Sequence, residues 1–365
     1  MVSEFFYKQP VRIWFGEGKF SRLGDVMQEL GCTKCVLVCG RHFAPEAHAL
    51  MEKLPAVAAV FGGVEQNPQL DGVKETVRLA RTLGADAIVG IGGGSAMDTA
   101  KFAAAAAPGD AEVEAYYIGE VPFPAKPLTV IAVPTTAGTG AEVTQVSVMS
   151  RGSEKRSINN PLFMPTAAIV DPSLTMTVPP RTTMNTGLDA LAHALEGFWS
   201  RNHQPIADLF AVEAVHIIME NLETAWRDGG NAEARGNMLY ASLLAGLAFS
   251  NPRTAGCHAC SYPLSEDYHL PHGEACAFTL DSFVRINSDD RLEKLCRMAG
   301  MSGTEELALR IAALKELAEL RTRLSQLGDV DMDKLCRDAA AHVLMRNNPV
   351  QLDEAGIREM FEKLK

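Results

Sequence analysis

The sequence predicts an α/β domain with a mostly parallel sheet over residues 1–179, followed by an all-helical domain over residues 180–365. The first observation is that short, β-branched apolar segments alternate with helical patterns in the first half of the chain. The second is that, after Pro179-Pro180, apolar residues recur at three- and four-residue spacing and few strand-like segments remain. Alternating strands and helices are typical of a parallel sheet with helices on both faces.

The predicted strands are short and bounded by glycine or proline. They lie in KCVLVCG, ADAIVGIGGG, PLTVIAVP and TAAIVDP, and an opening pair of strands is expected in FYKQPVRIWFGEG. Between them, DGVKETVRLARTLG and SAMDTAKFAAAAA predict helices, the second ending at Pro108-Gly109. In the second half, long helices are predicted in TTMNTGLDALAHALEGFWS, ADLFAVEAVHIIMENLETAWRD and EARGNMLYASLLAGLAFSN.

Composition and charge exclude several classes of protein. A chain of 365 residues with 47% apolar and 22% charged residues is typical of a two-domain globular protein. The net charge of −11 argues against a nucleic acid or an anionic membrane as partner. The N-terminal MVSEFFYKQP does not resemble a signal peptide, and no apolar stretch reaches the roughly 20 residues of a membrane span. We therefore expect a cytoplasmic protein.

The eight cysteines include two pairs with CxxC spacing, Cys32/Cys35 and Cys257/Cys260. The two pairs lie too far apart in the sequence for an ordinary zinc ribbon. A reducing compartment disfavours disulfides, so we expect buried structural thiols.

Four residues between positions 189 and 272 form a candidate site for a divalent metal. Asp189 and His193 are four residues apart in LDALAHALE, so they share one face of the predicted helix. His258 in AGCHACSY and His272 in LPHGEA supply two further imidazoles. One carboxylate and three imidazoles suit Fe²⁺ or Zn²⁺ better than Ca²⁺ or Mg²⁺. The other histidines are interpreted as loop or structural residues: His42, His48, His203, His216, His269 and His342.

The segment GIGGGSAMD, residues 90–98, predicts a dinucleotide-binding turn. It follows the strand ADAIV and begins the next helix, where glycines admit a pyrophosphate and the helix N-terminus offers free N–H groups. A tight strand-to-helix turn without a ligand would have a similar sequence. The second small-residue loop, PTTAGTGAE at residues 134–142, favours the binding interpretation because its hydroxyls suit phosphate or ribose. A metal and a dinucleotide in one chain point to metal-assisted hydride transfer.

The end of the strand KCVLVCG bears on the choice of cofactor. An acidic residue at this position commonly binds the adenosine ribose and repels a 2′-phosphate. Here Gly40 is followed by Arg41 and His42, with no carboxylate. The sequence therefore favours NADP(H) over NAD(H), unless Arg41 is only a solvated surface charge.

With both sites described, the chain resembles the iron-containing (group III) alcohol dehydrogenases over nearly its whole length. The resemblance is carried, in the family's order, by FGEGKFSRLG, GGGSAMDTAK, PTTAGTGAEVT, AIVDPSLTMTVPP, TGLDALAHALE, AFSN and PHGEA. It implies an active site in a cleft between a dinucleotide-binding α/β domain and a helical domain. It also implies metal ligation by Asp189, His193, His258 and His272. The implied cofactor contacts are Gly93, Gly94, Ser95, Asp98, Thr135, Thr136, Thr139 and Lys155, and family members are often dimers, so a homodimer is expected.

The sequence departs from the family pattern at three positions near these ligands. Most members have a second histidine four residues after the one that matches His258, whereas this chain has Tyr262. Tyr262 is a candidate proton donor or substrate contact, with aromatic packing as the alternative. Cys276 stands where asparagine is usual and Asp281 where proline is usual, and the sequence assigns neither a function.

A fourth departure concerns the substrate. Ordinary members carry small or apolar residues between AFSN and the histidine, whereas this chain has Pro252-Arg253-Thr254. A guanidinium so near a metal ligand is suited to a phosphonate, sulfonate or carboxylate, although Arg253 could instead pair with a carboxylate of the protein. The pattern is similar to the phosphonoacetaldehyde reductase branch of the family. The sequence therefore predicts reduction of a short anionic aldehyde, with phosphonoacetaldehyde as the leading specific substrate and Arg253 and Tyr262 as the catalytic candidates.

Three alternatives remain open at this stage. The first is a general alcohol or diol dehydrogenase of the same family. The second is a non-redox lyase with a fold like that of dehydroquinate synthase. The third is a protein that binds metal or nucleotide without catalysis.

Overall fold

The computed structural model describes residues 4–152 and 154–365. These residues group into two compact units. The α/β unit comprises Gln9–Thr136 and Gly140–Met176, and the helical unit comprises the N-terminal segment up to Lys8, Ala137–Thr139 and Thr177–Lys365. The predicted boundary between residues 179 and 180 lies close to Thr177. Ala137–Thr139 also belong to the helical unit, although they lie in the first half of the sequence. No change in composition indicates this assignment.

The α/β unit is built on a parallel sheet. The strands of the described chain are β1 (Arg12–Phe15), β2 (Cys35–Gly40), β3 (Val57–Val64), β4 (Ala87–Gly92), β5 (Thr129–Pro134), β6 (Val146–Arg151), β7 (Glu154–Asn159) and β8 (Ala167–Val170). Six of them form one sheet in the order β1-β8-β5-β4-β2-β3, with every pairing parallel. The remaining two, β6 and β7, form an antiparallel hairpin. The predicted parallel α/β architecture is confirmed.

The expected opening pair of strands is wrong. Within the described residues before position 19, only β1 is a strand, and it pairs in parallel with β8 rather than with a neighbouring strand. Pro10 has no N–H to donate to a sheet, and the N–H of Val11 is used locally by the side chain of Gln9. The segment before β1 therefore cannot supply a regular ladder of hydrogen bonds.

Helices cover both faces of this sheet. They are α1 (Leu23–Glu29), α2 (Ala44–Lys53), α3 (Leu70–Leu83), α4 (Gly94–Ala106) and α5 (Val113–Ile118). Side chains alternate along each strand, so Val36 and Val38 of β2 face one hydrophobic cluster while Leu37 and Cys39 face the other. Burial on both faces explains why the strands read as continuous apolar segments.

The helical unit contains the remaining helices. They are α6 (Pro180–Trp199), α7 (Pro205–Arg227), α8 (Ala232–Phe249), α9 (Gly256–Tyr268), α10 (His272–Ile286), α11 (Asp290–Met298), α12 (Thr304–Leu317), α13 (Met332–Ala341) and α14 (Glu354–Glu362). Within the described residues this unit has no strand, as predicted. None of the described helices combines the length and apolar character that crossing a bilayer would require.

Glycines allow three helices of this unit to approach one another closely. A side chain at Gly197 of α6 would lie 2.8 Å from the carbonyl oxygen of Ala248 in α8. A side chain at Gly273, at the start of α10, would lie 2.0 Å from the carbonyl oxygen of Asn185 in α6. The start of α10 can therefore lie directly against α6, the helix that carries Asp189.

Candidate metal and dinucleotide sites

Asp189 and His193 lie one turn apart in the middle of α6 and are almost completely buried. The Nδ1 atom of His193 lies 3.9 Å from Oδ2 of Asp189 and 3.3 Å from the carbonyl oxygen of Gly138. Gly138 belongs to the same unit as His193, and the contact between its carbonyl oxygen and Nδ1 helps to orient the His193 ring. The predicted sharing of one helix face is thus present in the structure.

Helices α9 and α10 bring two further imidazoles to Asp189. Oδ1 of Asp189 lies 3.7 Å from Nε2 of His258 and 3.8 Å from Nε2 of His272. His272 begins α10, where Gly273 permits the close contact with α6. One carboxylate oxygen therefore lies near two ring nitrogens from different helices, at distances too long for a hydrogen bond.

Cys276 completes a group of four potential metal ligands. The donor atoms of Asp189, His258, His272 and Cys276 all lie within 4.8 Å of one another. His193 lies beside this group but not in it: its ring centroid is 4.6 Å from that of His258, and its ring stacks on Phe249 at 4.2 Å. Sequence reasoning noted Cys276 only as a departure from the family and did not connect it to the metal.

The polar atoms at the centre of this group fit a divalent cation. Oδ1 of Asp189 and Nε2 of His258 are both buried, and neither has a hydrogen-bond partner among the described residues. Buried polar atoms without partners are costly, and an ion that accepts both lone pairs removes that cost. Carboxylate, imidazole and thiolate donors together suit Zn²⁺ or Fe²⁺.

Glu196, one turn beyond His193 on α6, holds His258 in place. This fully buried carboxylate accepts hydrogen bonds from the backbone N–H groups of Cys257, at 2.7 Å, and His258, at 3.3 Å. Its other oxygen is in close contact with Nδ1 of His258. With the proton on Nδ1, the Nε2 lone pair is free to face Asp189 and His272, which is the tautomer that a metal requires.

Burial and neighbouring charge act on the two histidines in opposite ways. Burial lowers the pKa of His193 to about 3, so this ring is neutral near pH 7. Burial also opposes protonation of His258, but the charges of Cys276 and Glu196 outweigh it and raise the pKa of His258. A cation next to Asp189 therefore competes with a proton at His258, whereas His193 needs no deprotonation.

Arg253 lies in the turn between α8 and α9, ahead of His258. Its φ of 73° is unusual for a non-glycine residue, and the neighbouring carbonyls of Pro252 and Thr254 are held by Ser200, at 2.9 Å, and Asn347, at 2.8 Å. The side chain is half-buried, and no carboxylate of the described residues forms an ion pair with its guanidinium. Burial lowers the pKa of Arg253, opposed by the phenol of Tyr262. The turn therefore presents a partly desolvated cation that has no carboxylate counter-ion in the described part of the chain.

Tyr262 lies one turn beyond His258 on α9 and stacks on the ring of His342, with the centroids 4.3 Å apart. Burial lowers the pKa of His342, and the charge of His258 lowers it further. Sequence reasoning interpreted His342 as a structural histidine because it has no partner nearby in the sequence. The stacking on Tyr262, which no sequence spacing indicates, brings it into the surroundings of the metal group.

Within the α/β unit, the glycine turn after β4 lies beside the first residues of the second predicted loop. The backbone N–H of Thr135, after β5, donates to the carbonyl oxygen of Gly92 at the end of β4, at 2.9 Å. A side chain at Gly93 would lie 3.2 Å from Oγ1 of Thr136, so glycine leaves the space above this hydroxyl open. Gly94 and Ser95 form the first turn of α4, whose N-terminal N–H groups suit phosphate.

The other predicted cofactor contacts fall into two groups. Asp98 is buried in α4, where its carboxylate accepts from the backbone N–H of Val148 at 3.0 Å and lies 3.6 Å from Nζ of Lys101. Lys155, on β7, donates to Asn67 at 3.2 Å and acts electrostatically on Asp98. Thr139 belongs to the helical unit together with Gly138. Asp98 and Lys155 thus interact within the α/β unit, whereas Thr139 belongs to the other unit.

The predicted preference for NADP(H) is based on Arg41, which follows the last residue of β2. Gly40 pairs with Val64 of β3, and the exposed guanidinium of Arg41 forms a 2.8 Å ion pair with Glu65. The sequence prediction missed this carboxylate because Glu65 directly follows β3, a strand that was not predicted. Arg41 is therefore not an isolated cation.

The remaining sequence predictions concern cysteines and structural residues. All eight cysteines are buried and free, as expected. Cys32 and Cys35 lie with Asp86 in a second group of neighbouring donor atoms, but hydrogen bonds from Thr33 and Lys34 already occupy that carboxylate. Asp281 pairs with the buried Nζ of Lys315, so this departure from the family has a structural role.

The sequence matches two family profiles that together cover most of its length. Residues 10–172 match the profile described as Iron-containing alcohol dehydrogenase. Residues 183–365 match the profile described as Fe-containing alcohol dehydrogenase family, C-terminal.

Individual relatives agree with these profiles. Long-chain-alcohol dehydrogenase 1 of Geobacillus thermodenitrificans is 36% identical, with 83% of this chain and 81% of the relative aligned. Sulfoacetaldehyde reductase of Bilophila wadsworthia is 34% identical, with 80% of this chain and 79% of the relative aligned. A crystal structure of sulfoacetaldehyde reductase from Bifidobacterium kashiwanohense in complex with NAD+ superimposes with a TM-score of 0.95 at 38% identity and covers 99% of both chains.

Proposed function

The chain belongs to the iron-containing alcohol dehydrogenase family, and from that premise we propose that this oxidoreductase interconverts a short anionic aldehyde and its primary alcohol. The resemblance inferred from the motifs is thereby confirmed. The substrate and the roles of individual residues are the new part of the proposal.

We assign the metal to Asp189, His258 and His272, with His193 as the further ligand that the family motif implies. The support is a pair of buried atoms, on Asp189 and His258, that have no hydrogen-bond partner in residues 4–152 and 154–365. When bound, a divalent ion supplies Lewis-acid stabilisation of negative charge on the substrate oxygen, and the nicotinamide supplies or accepts the hydride. Asp189 balances part of the ionic charge, and Glu196 fixes the tautomer of His258.

Arg253 carries the proposal of an anionic substrate. A half-buried guanidinium without a carboxylate partner among the described residues has lost part of its hydration without an opposite charge in return. An anionic group on the substrate restores that balance and forms charge-assisted hydrogen bonds to the planar guanidinium. The hydrogen-bonded turn around Arg253 fixes where that group binds.

The identity of the anionic group is a finer point. A sulfonate carries one negative charge, which one guanidinium balances, whereas a phosphonate near pH 7 carries more. Two relatives are sulfoacetaldehyde reductases by name. We therefore place sulfoacetaldehyde ahead of phosphonoacetaldehyde, which the sequence alone favoured, and retain both as candidates.

We propose that the phenol of Tyr262 contacts the substrate and donates the proton or hydrogen bond that the family's second histidine would supply. Its support is its position one turn beyond His258 on α9 and its electrostatic effect on Arg253. Stacking on His342 restricts the orientation of the ring. Tyr262→Phe keeps this stacking and removes the hydroxyl, so it is expected to lower kcat more than it changes KM.

We propose that the cofactor binds at the glycine turn before α4 and at the hydroxyls after β5. The proposed contacts are Gly40, Arg41, Gly93, Gly94, Ser95, Asp98, Thr135, Thr136, Thr139 and Lys155. The preference for NADP(H) over NAD(H) stays a prediction based on Arg41. The ion pair with Glu65 weakens it, because a carboxylate beside Arg41 repels a 2′-phosphate. A homodimer and a cytoplasmic location are kept as parts of the proposal.

The proposal is tested by the wild-type enzyme with a panel of aldehydes. Oxidation of NADH and NADPH is followed with sulfoacetaldehyde, phosphonoacetaldehyde and neutral propanal, before and after metal removal and restoration of Zn²⁺ or Fe²⁺. We expect kcat/KM to be highest for an anionic aldehyde and activity to depend on the metal. Higher kcat/KM with propanal or a diol-derived aldehyde would favour a general alcohol or diol dehydrogenase. No oxidation of either cofactor by any aldehyde would contradict the dehydrogenase function and favour the lyase alternative.

A further inference from the structure

We propose that the Cys276 side chain is itself a metal ligand, which binds as a thiolate together with Asp189, His258 and His272, in place of the His193 that the family motif implies. The inference rests on the proposed metal-dependent function and specifies the ligand set of the same site. It gives a chemical role to a residue that the sequence marked only as unusual.

The local geometry follows from the start of α10. His272 and Cys276 are one turn apart on this helix, and Sγ of Cys276 lies 3.9 Å from Nε2 of His272. The same sulfur lies within 4.8 Å of the donor atoms of Asp189 and His258, which reach it from α6 and α9. A buried cysteine that only fills space would have no reason to face three polar donors from three helices.

Three of the six separations between the donors lie slightly above those of atoms bound to one metal ion. Zinc bonds of roughly 2.0–2.3 Å at tetrahedral angles require donor atoms about 3.3–3.6 Å apart. The structure has 3.7 Å from Asp189 to His258, 3.8 Å from Asp189 to His272 and 3.9 Å from His272 to Cys276. Contraction by a few tenths of an ångström would therefore bring these three pairs to the separations of metal-bound donors, and the other three pairs lie within 4.8 Å.

A second observation points to the same place. Oδ1 of Asp189 and Nε2 of His258 have no hydrogen-bond partner among the described residues, although Asp189 is 2% and His258 5% exposed. Both atoms lie in the group that contains the Cys276 sulfur. The thiol thus borders a buried pair of unused donor atoms, as expected of a ligand.

Ligation by Cys276 changes the chemistry of the site. The thiol releases its proton to solvent when the S–metal bond forms, which leaves the oxidation states of sulfur and metal unchanged. A thiolate is a softer donor than the asparagine usual at this position, so it favours Zn²⁺ over Fe²⁺. We therefore infer that zinc is the preferred metal of this chain.

Cobalt substitution tests the assignment without measuring catalysis. The full-length protein is stripped with a chelator and loaded with Co²⁺, and its absorption spectrum is compared for wild type, Cys276→Ser, Cys276→Asn and the control Cys296→Ser. Wild type and Cys296→Ser are expected to show a near-ultraviolet thiolate-to-cobalt charge-transfer band together with visible d–d bands. The two Cys276 variants are expected to lose the charge-transfer band and retain d–d bands.

The outcomes separate this inference from the proposed function. Visible d–d bands in wild type without a thiolate band would overturn ligation by Cys276 and leave the metal-dependent function standing. Wild-type protein that binds no cobalt would overturn both. X-ray absorption of the zinc-loaded wild type adds a measurement that needs no variant: a zinc–sulfur distance of about 2.3 Å is expected, and a shell of only nitrogen and oxygen would overturn the inference.

Discussion

Replacement of Glu196 by glutamine should weaken metal binding although Glu196 is assigned no direct contact with the metal. Its carboxylate is fully buried, accepts from the backbone N–H groups of Cys257 and His258, and contacts Nδ1 of His258. Glutamine keeps the size of the side chain and one acceptor oxygen. It replaces the negative charge facing Nδ1 with an amide, which can donate to that nitrogen and move the ring proton to Nε2. A proton on Nε2 blocks the lone pair that faces Asp189.

The size of the effect follows from the role of such a carboxylate. Loss of the partner that orients a metal-binding histidine typically costs 10- to 100-fold in metal affinity, or about 1.4–2.7 kcal/mol. The assay is competition for Zn²⁺ against a chromophoric chelator, with tryptophan fluorescence and circular dichroism to verify folding. Glu142→Gln is the matched control, because Glu142 is also a buried glutamate but belongs to the α/β unit. Zinc affinity of Glu196→Gln within twofold of wild type would refute the reasoning.

Three further predictions concern the cofactor and stability. Glu65→Gln should free Arg41 from its ion pair and raise the ratio of kcat/KM for NADPH to kcat/KM for NADH. The increase should be severalfold, because an exposed ion pair contributes at most about 1 kcal/mol. An unchanged ratio would count against a role for Arg41 in cofactor choice. Asp281→Ala should lower the free energy of unfolding in urea by roughly 3–5 kcal/mol, because it leaves Lys315 buried and unpaired. The double variant Asp281→Ala/Lys315→Met should recover most of this loss. No recovery would argue against the ion pair as the cause. Burial raises the pKa of Glu142 from 4.5 to about 7, so the folded state binds more protons than the unfolded state between these values and loses stability as the pH rises through them. Glu142→Gln should therefore gain up to roughly 3 kcal/mol over wild type at pH 8 and much less at pH 5 in urea unfolding, and an equal gain at both values would contradict this assignment.

Much of the fold could be predicted because its signals are local. Apolar segments bounded by glycine or proline form β2, β4, β5 and β8. Two of the intervening segments have helical periodicity, and they form α3 and α4. The strand β3 was missed because VAAVFGGV contains two glycines and is only partly buried, so it lacks the apolar pattern of a central strand. The hairpin of β6 and β7 was missed because EKRSIN is polar and largely exposed.

The metal group shows a similar limit. The spacing of Asp189 and His193 on one helix is readable from sequence, and the family motifs supplied His258 and His272. Glu196 and Cys276 lie one turn from His193 and His272 respectively, so helical spacing could have indicated them. Their proximity to Asp189 and His258 depends on how α6, α9 and α10 pack together, which the sequence does not specify.

Contacts between distant segments could not be predicted. The ion pair of Arg41 with Glu65 depends on the parallel pairing of β2 with β3, and one unpredicted strand was enough to hide the carboxylate. The stacking of Tyr262 on His342 joins residues 80 positions apart in the sequence. Conversely, the absence of a carboxylate partner for Arg253 among the described residues could be learned only from the structure.

The most direct test of the central claim is the ratio of kcat/KM for sulfoacetaldehyde to kcat/KM for propanal, compared between wild type and Arg253→Met. Charge-assisted hydrogen bonds contribute about 1.5–3 kcal/mol, so the ratio should fall roughly 10- to 100-fold when the guanidinium is removed. Arg253→Lys, which keeps the charge but not the planar fork, should retain an intermediate ratio. An equal loss of kcat/KM for both aldehydes in Arg253→Met would contradict the claim that Arg253 selects an anionic substrate.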